Sequence, residues 1–243
     1  MLLIDRCFDA FQAKLTELRE AESENISRAA NVCAEAMLRG GVVHIYDTGH
    51  IINSELIQRA GGLAGLTPFN FGLSVSNANR YREKSPKPDA EAELVSLALK
   101  QSNIRAGDVL IVGTVSGNSV RPVELAIQAR SAGVNVVAVT SLEYSSRLEP
   151  KHPSGKRLFE VADIVIDNHA PYGDAMLEVE GLEPKICPAS GICAAVAMWA
   201  VTMGCVEAIL SAGKMPTVYW SANLPDGMER LTRAQNEYGE KGY

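Results

Sequence analysis

The sequence predicts an α/β fold, a three-layer α/β/α sandwich built on a five-stranded parallel sheet and preceded by a long N-terminal helix. Three observations carry this reading. Residues 107–141, GDVLIVGTVSGNSVRPVELAIQARSAGVNVVAVTS, spell a complete strand, loop, helix and strand. Their two apolar runs, 108–113 and 134–140, have the β-branched bias of strands buried on both faces, as in a parallel sheet. Similar runs at 42–46, 66–73 and 163–167 alternate with helical stretches, and residues 3–37 repeat apolar side chains every three or four positions.

Composition narrows the function classes. The chain has 243 residues, 47% hydrophobic and 21% charged, which suits one α/β domain with a sizeable core. We read it as a single domain, 1–243, with an N-terminal helical arm (1–40), an α/β core (41–213) and a C-terminal extension (214–243). A formal charge of −6 disfavours nucleic acid or an anionic membrane as the main partner, since either would call for a basic surface. Five cysteines without a C-x-x-C pair fit reduced thiols rather than a disulfide framework or a zinc site, so no metal and no cofactor is expected. Asp5 interrupts the N-terminal apolar residues, so no signal peptide is read and a cytoplasmic location is expected. Residues 193–210 are the most apolar stretch, but Thr202, Gly204 and Glu207 break it, so it reads as a core or interface helix rather than a membrane span.

Taken in order, residues 3–37 place Phe8, Phe11, Leu15 and Leu18, then Ile26, Ala30 and Cys33, on one face of a helix, with an interruption allowed near Ser23. Gly41 ends it. The strand at 42–46 runs into Asp47-Thr48-Gly49-His50, a turn, and a helix is expected over 54–61. The second strand, 66–73, leads to a polar stretch with Arg80, Arg82, Lys84 and Lys87, read as a loop near the site. A helix at 89–101 should turn Leu94, Leu97 and Ala98 inward and leave Glu91 and Glu93 on the surface. Beyond 141, residues 143–156 carry two prolines and read as an irregular lid with Tyr144, Ser145, Arg147, Lys151 and His152. After the fifth strand, 168–183 reads as a connection with tight turns at Pro171 and Gly173. Ser190 opens the apolar helix, and the tail at 228–243 reads as weakly helical and frayed at its end.

The loop at 114–119 is the most informative. It lies at the carboxyl end of a parallel strand and opens a helix whose first amides lack internal partners, which makes an anion site. Thr114, Ser116 and Ser119 offer hydroxyl donors, and Gly117 lets the backbone approach closely. Neither a P-loop lysine nor a Gly-x-Gly-x-x-Gly follows, so nucleotide readings are weak. A turn of this composition also serves simply as a helix cap.

Ser116-Gly117-Asn118-Ser119, framed by GDVLIVGTV and VVAVTS, resembles the signature of the SIS (sugar isomerase) domain, found in phosphosugar isomerases and phosphosugar-binding regulators. Residues 169–176 (HAPYGDAM), 188–194 (PASGICA) and 217–227 (TVYWSANLPDG) resemble blocks of a little-characterised bacterial family of single-SIS-domain proteins, so the likeness covers nearly the whole chain. It implies a flavodoxin-like strand order, a sugar phosphate ligand held by the 114–119 loop, and a homodimer or homotetramer in which the N-terminal helix packs on a partner.

The chemistry implied is aldose–ketose isomerisation, which needs a base to move a proton between adjacent carbons and a donor for the enediolate oxygen. Alternatives are a non-catalytic phosphosugar-binding sensor or regulator, and an SIS-type lyase or etherase. Phosphate donors are Thr114, Ser116, Gly117, Asn118 and Ser119, with Ser190 from the apolar helix. Glu55 and His50 are the leading acid–base candidates, with Asp47, Glu178 and His152 as alternatives; Ser54, Thr140 and Ser141 are further candidate site residues. The chain departs from the isomerase pattern in two places. The register where those enzymes commonly carry a base falls near Ala60 and Gly61, and Ile51 and Ile52 stand where a small or polar residue is usual.

Overall fold

The computed structural model describes residues 2–49, 52–76 and 90–243. The elements are α1 (Leu3–Leu38), β1 (Val43–Asp47), α2 (Ile52–Leu56), β2 (Leu66–Pro68), α3 (Glu91–Gln101), β3 (Val109–Gly113), α4 (Val120–Ser131), β4 (Asn135–Thr140), α5 (Leu142–Ser146), β5 (Ile164–Asp167), β6 (Ala175–Leu177), β7 (Ile186–Pro188), α6 (Ser190–Ser211) and α7 (Gly227–Lys241). Five strands form one parallel sheet in the order β2-β1-β3-β4-β5. This is the flavodoxin-like order, in which the chain turns away in opposite directions on either side of the β1/β3 boundary and leaves a crevice outside the carboxyl ends of those strands.

Alternation along the strands builds the three layers. Val43, Ile45, Val109, Ile111, Val137, Val139, Ile164 and Ile166 face a core shared with α1 and α6. Their neighbours Tyr46, Leu110, Val112, Val136 and Ala138 face the other way, onto Val95 of α3 and Val123, Leu125, Ala126 and Ala129 of α4. α6 is long and apolar enough to cross a membrane by length and composition. Here its inner residues Cys193, Ala197, Met198, Val201, Cys205 and Ile209 are buried. At Gly204 the approach to α1 is so close that a β-carbon would lie 2.6 Å from the Ala30 Cβ.

Several expectations are corrected. α1 is continuous through Ser23, whose hydroxyl folds back onto the Arg19 carbonyl one turn earlier and leaves the ladder intact. The helix after β1 is a single turn, because the chain at 61–64 pairs instead with 217–219: the Gly61 and Ala64 amides donate to the Tyr219 and Thr217 carbonyls. β2 stops at Pro68 rather than continuing to 73, and the basic cluster at Arg80, Arg82, Lys84 and Lys87 lies outside the described residues. On α3, Val95 is buried and Leu97 is exposed; Glu91 is held by Arg121 of α4, with Nη2 2.9 Å from Oε1. Residues 143–156 begin in a helical turn, α5, capped by Ser141, whose hydroxyl accepts from the Tyr144 amide. The 168–183 connection contributes to a hairpin in which β6 and β7 pair antiparallel. The tail forms a 15-residue helix, and its last carbonyl, Tyr243, accepts a hydrogen bond from the Thr217 hydroxyl.

At the amino ends of the strands, the opposite end of the sheet from the 114–119 loop, the buried Asp108 carboxylate accepts from the Val42 amide (2.9 Å) and the Arg105 amide (2.8 Å), and lies 3.3 Å from His44 Nε2. Burial lowers the His44 pKa below 6.5, the contact with Asp108 offsetting this only in part. With the folded value depressed, the unfolded chain binds the proton first. The stability His44 contributes is therefore complete above pH 6.5 and is lost as pH falls from there towards the folded value. Urea unfolding at a series of pH values between about 7.5 and 5 should show this decline, and His44→Gln should flatten it. A second acid limb, below 4.5, follows from Glu91, whose pKa is lowered by its hydrogen bonds from Arg121, and from Glu124. For Glu124, burial raises the pKa, but hydrogen bonds from Gln128 and His152 outweigh it and the net shift is downward.

Candidate functional site

At the β1/β3 boundary, the switch point of the sheet, the carboxyl ends of the two strands lead into Asp47 to Gly49 and into the loop from Thr114 to Ser119. The Thr48 amide and hydroxyl both donate to the Gly113 carbonyl, at 3.1 and 3.2 Å, fastening the two strand ends together. The 114–119 loop is braced from beneath. The Val115 carbonyl accepts from the Thr140 hydroxyl (3.0 Å) and the Ser141 amide (3.1 Å), the Gly117 carbonyl from the Leu158 amide (2.8 Å), and the Asn118 carbonyl from the Lys151 amide (3.0 Å). Carbonyls that point inward leave the outer face of the loop to donors.

That division sorts the loop's side chains. Asn118 is buried and its amide donates to the Glu149 carbonyl at 3.1 Å, so it braces the loop rather than facing the crevice. Gly117 has φ 55°, a left-handed conformation that glycine adopts without strain. The Thr114, Ser116 and Ser119 hydroxyls make no hydrogen bond to another described residue, and Ser119 is the N-cap of α4 with no side-chain cap bond. The first turn of α4 carries no acidic residue. Its positive dipole end is thus unopposed by any carboxylate of its own first turn.

The start of α6 is different. Asp174 Oδ1 accepts from the Ala189 and Ser190 amides at 3.1 and 2.8 Å, and its Oδ2 accepts from the Ser190 hydroxyl at 2.8 Å. A carboxylate already occupies this helix end and repels a second anion. Ser190 therefore has a protein partner where the sequence reading gave it a ligand.

The remaining candidates divide in the same way. Thr140 is fully buried under the loop, and Ser141 donates to the Ala170 carbonyl at 2.6 Å; both hold the scaffold. His152 is buried, with Nε2 2.6 Å from Glu124 Oε2. Its Nδ1 accepts from the Ser154 amide at 3.1 Å, which places the proton on Nε2 and ties 152–154 to α4. Glu178 is exposed on the hairpin and pairs with Lys185 at 2.8 Å. Glu55, in α2 directly after the β1 loop, lies 3.4 Å from Arg59 Nη2. Asp47 is half-buried at the end of β1, and Ser54 sits in α2. His50 lies outside the described residues.

Two groups escaped the sequence reading. Arg121, in the first turn of α4, pairs with Glu91 and sits 5.7 Å from the centre of the Phe71 ring; the Glu91 carboxylate raises its pKa further. The signal was a cation two residues beyond the serine loop. His169, with φ 54°, stands just past β5, its Nδ1 3.4 Å from Glu17 and 3.7 Å from Asp167 and its Nε2 3.5 Å from Glu22. Nothing local to His169 marks this, because two of the three carboxylates come from α1. Among the described residues no group of three or more His, Cys, Asp or Glu side chains is disposed to hold a metal ion.

A braced Ser-Gly-Asn-Ser loop at the switch point of a 2-1-3-4-5 sheet defines the class, and sequence comparison agrees: the SIS-domain family model matches residues 7–141, and the chain belongs to that family. Its relatives narrow the group. The UPF0309 protein of Streptomyces griseus is 32% identical over 245 residues, covering 98% of this chain and 96% of that one. The UPF0309 protein of Shouchella clausii is 30% identical over 239 residues, with 98% and 96% covered. Among solved structures, the phosphoheptose isomerase of Neisseria gonorrhoeae superposes with a TM-score of 0.53 at 14% identity, covering 84% of this chain and 96% of that one; the likeness is one of fold.

Proposed function

We propose that this protein binds a phosphorylated sugar in the β1/β3 crevice and isomerises it between aldose and ketose forms by proton transfer through an enediol. The observation that carries the reading is the 114–119 loop, whose Val115, Gly117 and Asn118 carbonyls are held by the scaffold while its Ser116 and Ser119 hydroxyls bond to no other described residue. In this reading the phosphate takes the Ser116 and Ser119 hydroxyls, Thr114 and the amides around Gly117, while Asn118 and Ser190 support the loop and the start of α6. Glu55 takes the carbon proton and His50 assists ring opening or proton return, with Asp47 as the alternative base. The names of the structural neighbours, phosphoheptose isomerase among them, favour the same substrate class.

The whole chain, 1–243, acts as one domain in this proposal, and it works as a homodimer or homotetramer in the cytoplasm. Supporting the assembly is a groove of about 620 Å³ between α1 and α6, lined by Leu15, Leu18, Ile26, Val196, Met203 and Gly204, with Met203 half exposed. Apolar surface of this kind is rarely left open to water.

Incubation with a panel of sugar phosphates in deuterated water, followed by NMR, tests the function. The proposal expects one substrate to give its aldose or ketose partner, with solvent deuterium at C1 or C2. Saturable binding without product or exchange would move the protein to the class of phosphosugar sensors, and no binding by any member would defeat the reading.

A further inference from the structure

Of the five cysteines, three are buried: Cys33, Cys193 and Cys205. The other two are partly exposed, lie 180 residues apart in sequence, and meet: Cys7 Sγ, on the second turn of α1, is 3.4 Å from Cys187 Sγ in β7. A disulfide needs about 2.05 Å between the sulfurs, so closure requires them to approach by roughly 1.4 Å. Both sit on elements with room to adjust. Cys7 belongs to the exposed start of α1, and β7 is one strand of a small two-stranded hairpin outside the main sheet. The two elements already touch next to the cysteines, where Arg6 Nη2 donates to the Glu178 carbonyl at 2.7 Å.

The backbone around this contact is unusual. Asp174, just before β6, and Cys187, within β7, have φ of 69° and 68°, and neither is glycine. Such conformations are costly for residues other than glycine and persist only where surrounding contacts impose them. Three residues beyond Cys187 the chain enters α6 at Ser190, which Asp174 holds. The Cys7–Cys187 contact therefore lies on the segment that positions the start of α6.

We propose that Cys7 and Cys187 form a redox pair whose disulfide, made by exchange with a small-molecule disulfide, clamps the β6–β7 hairpin to the start of α1. Cys7, on the exposed start of α1, opens the exchange, while burial and the contact with Cys7 push the Cys187 thiol up. The Cys7 thiolate attacks one sulfur of the small disulfide, and the first small thiol leaves with the proton Cys7 gave up. Cys187 then attacks the Cys7 sulfur of the mixed disulfide, its proton passing to the second leaving thiol. The balance is two protein thiols and one disulfide giving one protein disulfide and two small thiols.

The test treats the folded, full-length protein with oxidised glutathione, alkylates the remaining thiols in denaturant, and reads the result by mass spectrometry. The parent should lose two hydrogens per chain, yield a cross-linked peptide pair containing Cys7 and Cys187, and carry alkyl groups on Cys33, Cys193 and Cys205. Cys7→Ser and Cys187→Ser should each abolish the cross-link. The parent measurement stands even if a variant folds poorly. Glutathione retained on Cys7 without a cross-link, a bond between two chains, a bond to any other cysteine, or no reaction would overturn the pair. Hydrogen exchange tests the clamp: amides of residues 175–187 should exchange about tenfold more slowly in the oxidised protein. Unchanged exchange would overturn it.

Discussion

Gly117→Ala is expected to destabilise the protein by roughly 3 kcal/mol and to abolish tight ligand binding, because strain and overlap act together at this position. At φ 55° an alanine is strained wherever it has space, and here it has little. Its β-carbon would lie 2.9 Å from Ser145 Oγ and 3.0 Å from Thr140 Oγ1. Thr140 cannot move away easily. Both residues are fully buried, and the Thr140 hydroxyl is committed to the Val115 carbonyl at 3.0 Å. The loop must shift instead, loosening the bond from the Leu158 amide to the Gly117 carbonyl and displacing the serines on either side. Urea unfolding would measure the first effect and calorimetry with a sugar phosphate the second. An alanine variant as stable as the parent would show that the loop is free to relax.

Glu55→Gln should lower turnover on an established substrate by about a hundredfold or more while leaving substrate affinity and stability near their parent values. The substitution keeps the shape of the side chain and removes the base. Its cost in stability is small because the Glu55–Arg59 pair, at 3.4 Å and four residues apart, is partly exposed, and pairs of that kind contribute a few tenths of a kcal/mol. That separation makes the measurement informative. Full turnover with the glutamine would transfer the role to His50 or Asp47, and a large loss of stability would assign Glu55 to the scaffold.

The sheet was legible in the sequence because burial on both faces leaves continuous β-branched runs, such as VLIVG in β3 and NVVAVT in β4. The loop at Ser116 stood out because a strand end, a run of small polar residues and a helix start follow one another directly in sequence. What escaped was whatever depends on contacts distant along the chain. The one-turn length of α2 is set by pairing with 217–219, some 155 residues later. Ser190 looked like a donor at an open helix end, yet Asp174 was already there. His152 looked like a titratable residue in a lid, and Glu124 had fixed it. Asn118 belongs to the signature string but faces the protein interior, a direction that spacing alone does not reveal.

Calorimetry on the parent and on Ser116→Ala tests the proposal that the Ser116–Ser119 face of the loop holds the ligand's phosphate. A hydroxyl that donates to a charged group contributes about 1 to 3 kcal/mol, so the variant should bind a sugar phosphate roughly five- to a hundredfold more weakly. Its unfolding midpoint should match the parent's, because the Ser116 hydroxyl bonds to no other described residue, and the unphosphorylated sugar should bind neither protein measurably. Equal affinity of parent and variant for the sugar phosphate would contradict the assignment.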